Sequence, residues 1–332
     1  MHIVRWHRFG EPRDVLQVEE TPPPEPGAGE VHLRLTARAI HPSDLQNVRG
    51  LYGRPPALPA VPGNDAAGVV LRVGAGVQGW APGDRAMLLL GATGGRGTWM
   101  DEVAVPAEKL VRTPSVLSDA QAGALWVNYL SVWVMLEEVL RLQRGDVLVQ
   151  TAAGSQLGLA VMEHAAWRGL TLINVVRRAE QAEELRAAGQ PQVAVFPGDD
   201  LVRAVRSAAG GRGATAAIDA VGGATGAQVL DSLAPGATAL LFGALDGGQA
   251  VPVAPGPFLF RGLTLQGFWL TRWLQIAPAE RVQQAVGSVL QGVAEGRYRP
   301  AVDRSYPLLE VRAAVERAET PGRRGAVVLG ER

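Results

Sequence analysis

The chain has 332 residues and no cysteine. Disulfides are therefore excluded, as is every zinc site built on thiolates. Lysine is nearly missing: Lys109 is the only one, so the basic charge is almost entirely arginine. Any phosphate clamp must then come from guanidinium groups, backbone N–H groups or hydroxyls. Net charge is also missing, with 32 Lys+Arg against 32 Asp+Glu. Such a balance offers no global attraction to nucleic acid or to an anionic membrane, and neither is expected as a partner. No stretch reaches the roughly 18 consecutive apolar residues of a spanning helix. The N-terminal MHIVRWHRFG carries no apolar signal core. A cytoplasmic protein acting on a small molecule is the expectation.

Hydrophobic residues make up 47% and charged residues 19%, enough apolar content for two cores over this length. Before Ser118 the chain is rich in turns and short apolar runs, with little that looks helical. Val31–Ile40, Ala66–Val73 and Arg85–Leu90 are strand candidates, set off by Gly74, Gly76, Gly79, Pro82 and Gly83. From Asn128 the texture changes. Val132, Met135, Leu136 and Val139 fall at helical spacing within Asn128–Leu142. Strands are then expected at Val147–Gln150, Thr171–Val176, Val193–Phe196, Thr215–Ala220 and Ala237–Phe242. Helices alternate with them: one through Trp167, one across Ala179–Ala188, and Asp199–Ala208 capped by Asp199 or Asp200. Repeated βα units require an α/β fold with a doubly wound parallel sheet and right-handed crossovers. After Gly267 come a long amphipathic helix (Ala277–Glu295), a short helix (Leu309–Ala318) and a last strand (Ala326–Leu329). The simplest assembly returns this tail to the first domain. That gives a β-rich domain of residues 1–122 and 270–332, and a cofactor domain of residues 123–269.

Gln150–Gly158 (QTAAGSQLG) lies between the first strand of the βα series and its helix. A small-residue turn there lets a pyrophosphate approach N–H groups at a helix N-terminus. Gly154 and Gly158 are present, and Gln156 stands where a middle glycine would be. An NAD-binding chain usually carries Asp or Glu about twenty residues past the turn. Counting from Gly154 reaches Asn174, and the strand ends in Arg177-Arg178. Two guanidiniums without an acid suit a 2′-phosphate, hence NADPH. The plainer reading is an exposed loop cluster.

Several stretches carry a family resemblance. They are HPSDLQNVRGLYG (41–53), LPAVPGND (58–65), RGTW (96–99), VNYLSVWVMLEE (127–138), GDVLVQTAA (145–153), TLINVVR (171–177), VGG (221–223) and GFWLTRW (267–273). Through them the chain resembles the zinc-free, quinone-oxidoreductase-like branch of the medium-chain dehydrogenase/reductases, and within it the 2-enoyl thioester reductases. The resemblance implies a GroES-like catalytic domain beside a Rossmann domain. It also implies reduction of a C=C bond conjugated to a carbonyl, with hydride from NADPH to the β-carbon and a proton to the α-carbon. Tyr52 matches the proton donor, although a single Tyr in a Pro-rich loop is more often an anchor. Asn128 matches a position near the nicotinamide ribose or substrate carbonyl. Gly154, Ser155, Gln156 and Leu157 match the pyrophosphate turn, with Arg177 and Arg178 on the 2′-phosphate. Phe242, Gly243, Ala244, Leu245, Phe268, Trp269 and Leu270 match the nicotinamide border, with core packing the alternative for Phe268 and Trp269. Relatives are often homodimers paired through an edge strand, for which Gln249–Val253 is the candidate here.

Three departures stand out. A turn of the type A-N-S-G-V-G is here Ala153-Gly154-Ser155-Gln156-Leu157-Gly158. The usual G-N-E-G is Gly63-Asn64-Asp65-Ala66, and no lysine follows Gly325. His41 stands where relatives often have Asn. With Asp44 and Asp65 it could suggest a vestigial metal site, but a hydrogen-bonded histidine is the expectation and no metal is implied. His164 is expected to be structural. The alternatives to thioester reduction are an NADPH:quinone or enone/enal reductase and a non-catalytic NADPH-binding sensor or interaction protein.

Overall fold

The computed structural model describes residues 1–330. The chain divides into two compact units, Met1–Asn128 with Arg299–Arg332, and Tyr129–Tyr298.

The first unit is β-rich. Its strands are β1 (His2–Arg5), β2 (Gln17–Glu20), β3 (Glu30–Ala39), β4 (Ala67–Val73), β5 (Arg85–Leu88), β6 (Glu102–Pro106), β7 (Leu110–Arg112), β14 (Val302–Tyr306) and β15 (Ala326–Gly330). A seven-stranded sheet runs β14-β15-β3-β4-β5-β7, with β6 also pairing β3. The end of the chain, from Arg299, returns to this unit: Val311, Val315, Val327 and Leu329 share one core cluster with Val4, Trp6, Ile40 and Trp99. Buried Arg38 holds three segments together by donating to the carbonyls of Met100, Leu329 and Leu35. One helix here escapes the sequence reading, Pro42–Arg49. Pro42 sits in its first turn, the His41 N–H donates to Asp44 Oδ2 at 2.8 Å, and Gly50 closes it at φ 76°. These are ordinary start and stop signals, but they frame a mostly polar segment without an apolar stripe.

The second unit carries β8 (Val147–Gln150), β9 (Thr171–Val176), β10 (Val193–Val195), β11 (Ala214–Asp219), β12 (Leu233–Leu241) and β13 (Thr264–Gly267). They form one sheet in the order β10-β9-β8-β11-β12-β13, every pair parallel. This is the Rossmann arrangement, with its reversal of direction between β8 and β11. Asp200, not Asp199, caps the Leu201–Ala208 helix. The helix at Trp126–Trp133 continues as a π-helix over Val134–Val139, a change of pitch that apolar spacing does not reveal.

Two sequence expectations are corrected. The units divide at 128/129 and 298/299, not at 122/123 and 269/270. The cause is the Ala279–Ala294 helix and the Tyr298 that follows it. Tyr298 is buried, its hydroxyl lies 2.6 Å from His164 Nδ1, and its ring packs against Tyr129. Arg281 pairs with Glu138 at 3.2 Å. Residues 270–298 thus belong with the cofactor unit. Second, Gln249–Val253 forms no strand. The free edge on that side of the sheet is β13, reached through the Gly256–Arg261 helix. Among the described residues no helix is long and apolar enough to cross a membrane.

Candidate active site

In the second unit, β8 ends at Gln150 and the chain turns through Ala152 at φ 50° into the Gln156–Arg168 helix. Ser155 caps that helix, its Oγ accepting from the Gly158 N–H at 3.1 Å. The first-turn N–H groups and the helix dipole make this end an anion site. Gly158 is fixed by space, because a Cβ there would run into the Ala153 backbone carbonyl; at Gly154 a Cβ would displace only the Gln181 side chain. The turn is locked to the neighbouring strand end: Thr151 Oγ1 donates to Asp219 Oδ1 at 2.6 Å and accepts from the Ala220 N–H at 2.9 Å. Asp219 also accepts from the N–H groups of Val221 and Gly222.

Asn174, the position reached by counting from Gly154, is fully buried and bonded to Gln150 Nε2 at 2.7 Å. It serves the core. Beyond β9, Arg177 is exposed and Arg178 begins the Ala179–Ala187 helix. Neither guanidinium is ion-paired among the described residues. Phe242 follows β12, its N–H on the Asp219 carbonyl, and Leu245 donates to Ala220. Phe268 follows β13 with its N–H on Leu241. Trp269 precedes the Leu270–Ile276 helix and is part-exposed, while Leu270 is buried. So Gly154–Leu157, Arg177–Arg178, Phe242–Leu245 and Phe268–Leu270 all gather at the carboxyl ends of parallel strands. Such a crevice is where open α/β sheets take ligands. A cradle that a Cβ would fill, a capped helix start and unopposed guanidiniums fit a dinucleotide phosphate backbone.

In the first unit, Tyr52 lies two residues past Gly50 and is half-buried. Gly50 is tight against Phe9, which a Cβ would meet at 3.1 Å. The sequence reading undervalued what lies behind this loop. His41 Nε2 is 3.0 Å from Asp65 Oδ2, and Asn64 Nδ2 donates to Asp44 Oδ1 at 2.6 Å. Asp65 is 0% exposed and also accepts from the Val127 N–H at 3.1–3.2 Å. Burial alone would push His41 down, but the Asp65 bond and the charges of Asp65 and Asp44 raise it above the ordinary imidazole range. Burial also raises Asp44, to about 6, against the opposing pull of His41 and its hydrogen bonds. Among the described residues no group of three His, Cys, Asp or Glu side chains is arranged to hold a metal. Asn128, next to Val127, is buried, and its Nδ2 has no acceptor. An orphaned buried amide costs about 1–3 kcal/mol, and this one leaves a donor that an acceptor from a bound molecule would satisfy.

Comparison with known proteins agrees with this division. The family described as "Alcohol dehydrogenase GroES-like domain" matches residues 27–115, and "Zinc-binding dehydrogenase" matches residues 157–288. A mitochondrial enoyl-[acyl-carrier-protein] reductase of Bos taurus is 30% identical over 95% of this chain and 85% of its own length. The structure of a putative NADPH:quinone reductase from Bacillus thuringiensis superposes with a TM-score of 0.90 at 31% identity, covering 100% of this chain and 99% of that one. The Escherichia coli quinone oxidoreductase, solved with NADPH, gives 0.87 at 26% identity over the full length of both. With a glycine turn at the switch point of a Rossmann sheet and a β-rich partner unit, the chain is a nicotinamide-dependent oxidoreductase and belongs to the zinc-independent medium-chain dehydrogenase/reductase superfamily.

Proposed function

We propose that the enzyme reduces the C=C bond of a 2-enoyl thioester with NADPH. The observation that supports this reading is 30% identity, over nearly the whole chain, to an enoyl-[acyl-carrier-protein] reductase, in a protein whose Tyr52 stands half-buried in a loop of the β-rich unit. Bound NADPH supplies hydride for the β-carbon. Arg177 and Arg178 would hold the 2′-phosphate, and no acid at the end of β9 competes for it. Gly154, Ser155, Gln156 and Leu157 would carry the pyrophosphate on the helix start. Phe242–Leu245 and Phe268–Leu270 would border the nicotinamide. The Asn128 amide donates to the nicotinamide ribose or to the thioester carbonyl. Tyr52 gives its phenolic proton to the α-carbon as enolate charge develops.

The test follows NADPH absorbance with crotonyl-CoA, with 1,4-benzoquinone and NADH as parallel arms. Rapid oxidation with the thioester, lost by a factor of about 10² or more in Tyr52→Phe, is the expected result. Turnover with quinone alone, indifferent to Tyr52, would establish the second reading, a quinone reductase. That reading is favoured by the two superposing structures. Faster oxidation of NADH would remove the roles of Arg177 and Arg178.

The molecule also has the surface for a homodimer. All four residues of β13 are exposed, and the helix leading into it shows Leu259 (73% exposed) and Phe260 (87%). A short free edge flanked by exposed apolar side chains suits isologous pairing with a second copy. Sedimentation is expected to give a dimer that Phe260→Asp weakens; a monomer at all concentrations would remove the proposal.

A further inference from the structure

We propose that His41 and Asp65 are positioning residues, an ion pair that sets the amide of Asn128. This rests on the reading of Asn128 as a donor to cofactor or substrate.

The connection is short and covalently simple. Asp65 presents both carboxylate oxygens to the Val127 N–H, at 3.2 and 3.1 Å, in the first turn of the helix that begins at Trp126. Its backbone carbonyl accepts from Thr98 Oγ1 at 3.1 Å, so the residue is fixed at both ends. A carboxylate at a helix start is favoured by the dipole and satisfies an otherwise orphaned donor. Val127 precedes Asn128, so the carboxylate that fixes one peptide fixes the origin of the next side chain. Asp65 has no water to hold it in place, being 0% exposed, and its remaining partner is His41. His41 is held in turn. Its N–H donates to Asp44 Oδ2, and Asp44 is itself pinned by Asn64. The chain of contacts therefore runs from the Pro42–Arg49 helix through His41 and Asp65 to the Val127 peptide, one residue before the amide with no acceptor.

Reach gives the pair a second signature. Asp is one methylene shorter than Glu, and the imidazole Nε2 extends further from its backbone than the amide of Asn. At these two reaches the short acid and the long donor meet at 3.0 Å, so an Asn at 41 and a Glu at 65 would change the two lengths in opposite senses. Making only one of these changes leaves a gap or a clash in a sealed site. Making both leaves neither.

The experiment compares His41→Asn, Asp65→Glu, the double swap and Asn128→Ala in the full-length enzyme. Each is read by kcat and KM with whichever acceptor the wild type reduces, and by hydrogen exchange of the 126–133 segment in the cofactor-free protein. Each single swap is expected to lower kcat about tenfold and to speed exchange in that segment, with KM for NADPH changed less than threefold. The double swap should recover kcat to within about threefold and restore the protection. In an Asn128→Ala background, His41→Asn should have no further effect on kcat. Losses that multiply between His41→Asn and Asn128→Ala overturn the proposal, as do single swaps that leave kcat unchanged or a double swap worse than either. If a single swap does not fold, the double swap decides by the same criteria. Failure with crotonyl-CoA but success of the cycle with benzoquinone would sink the thioester reading and leave the positioning role standing.

Discussion

His41 and His164 are both sealed from water, one in each unit, and their surroundings shift their pKa values in opposite directions. His164 is 0% exposed, with Nδ1 2.6 Å from the Tyr298 hydroxyl and Nε2 2.9 Å from Glu137 Oε1. Burial lowers its pKa, and Glu137 does not reverse that, because Arg168 and Arg297 add opposing charge. Arg168 Nε itself sits 2.8 Å from the same Glu137 oxygen. His41 faces two carboxylates, Asp65 and Asp44, against the single more weakly felt cation Arg323, and its pKa is raised. Equal burial thus leaves the imidazole pKa raised where acids predominate and lowered where the acid is shared with a cation. The first links two carboxylates, and the second lies between a carboxylate and a phenol.

The sharpest way to break this comparison is to remove one hydrogen-bond partner from each. Asp65→Ala strands a protonated imidazole in the first unit and should cost about 3–5 kcal/mol in denaturant unfolding. On the other side, Tyr298→Phe leaves one His164 nitrogen unsatisfied and should cost about 1–3 kcal/mol. Equal losses would mean that His41 is not carrying charge. Burial raises the Tyr298 phenol above its usual range, so this hydroxyl remains a neutral donor through physiological pH.

The pH dependences should differ in sign. His41 has a folded pKa above its ordinary 6.5, so its contribution is complete below 6.5 and is lost as pH rises through the raised value. Asp44 acts in the same direction: its folded value of about 6 lies above 3.8, so stability declines as pH climbs between them. His164 has a folded pKa below 6.5. Its contribution is present above 6.5 and is lost as pH falls through the lowered value. Urea midpoints measured from pH 5 to 8 should therefore lose their acid-side decline in His164→Gln. The decline on the alkaline side should flatten in the His41→Asn/Asp65→Glu double swap. A common pH profile for both variants would count against the assignment of charge.

Neither histidine's state was legible in the sequence, though much of the scaffold was. The βα alternation, the strand-end arginines and the Ser155 turn are local, and period and spacing report them directly. His41 and Asp65 are 24 residues apart, and His164 and Tyr298 are 134 apart. Those pairs exist only after the chain has folded. The amphipathic pattern of Ala279–Ala294 says that one face is buried but not against what, and Tyr298 supplies the missing answer. The edge at Gln249–Val253 rested on the resemblance alone, and the next strand comes only after the Gly256–Arg261 helix. The Pro42–Arg49 helix had its caps in plain view, and a polar segment between them hid it.

The smallest change tests the electrostatic half of the comparison without removing a hydrogen bond from either histidine. Arg297 stacks over Trp167 with its guanidinium carbon 4.2 Å from the ring centroid, and it pairs with Glu295 at 2.6 Å. It also adds positive charge near His164. Arg297→Gln should cost only about 0.5–1 kcal/mol, the worth of a part-exposed cation–π contact and a surface ion pair. Its consequence for His164 is more telling than its stability effect. With one opposing cation gone, the Glu137 attraction is less offset, and the imidazole pKa should move up toward its ordinary value. The readout is the titration of the His164 ring proton by NMR, with His41 as the internal reference whose titration stays fixed. A His164 titration that does not move would show that burial alone keeps it neutral, and the contrast with His41 would then rest on the acids around His41 and on nothing in the second unit.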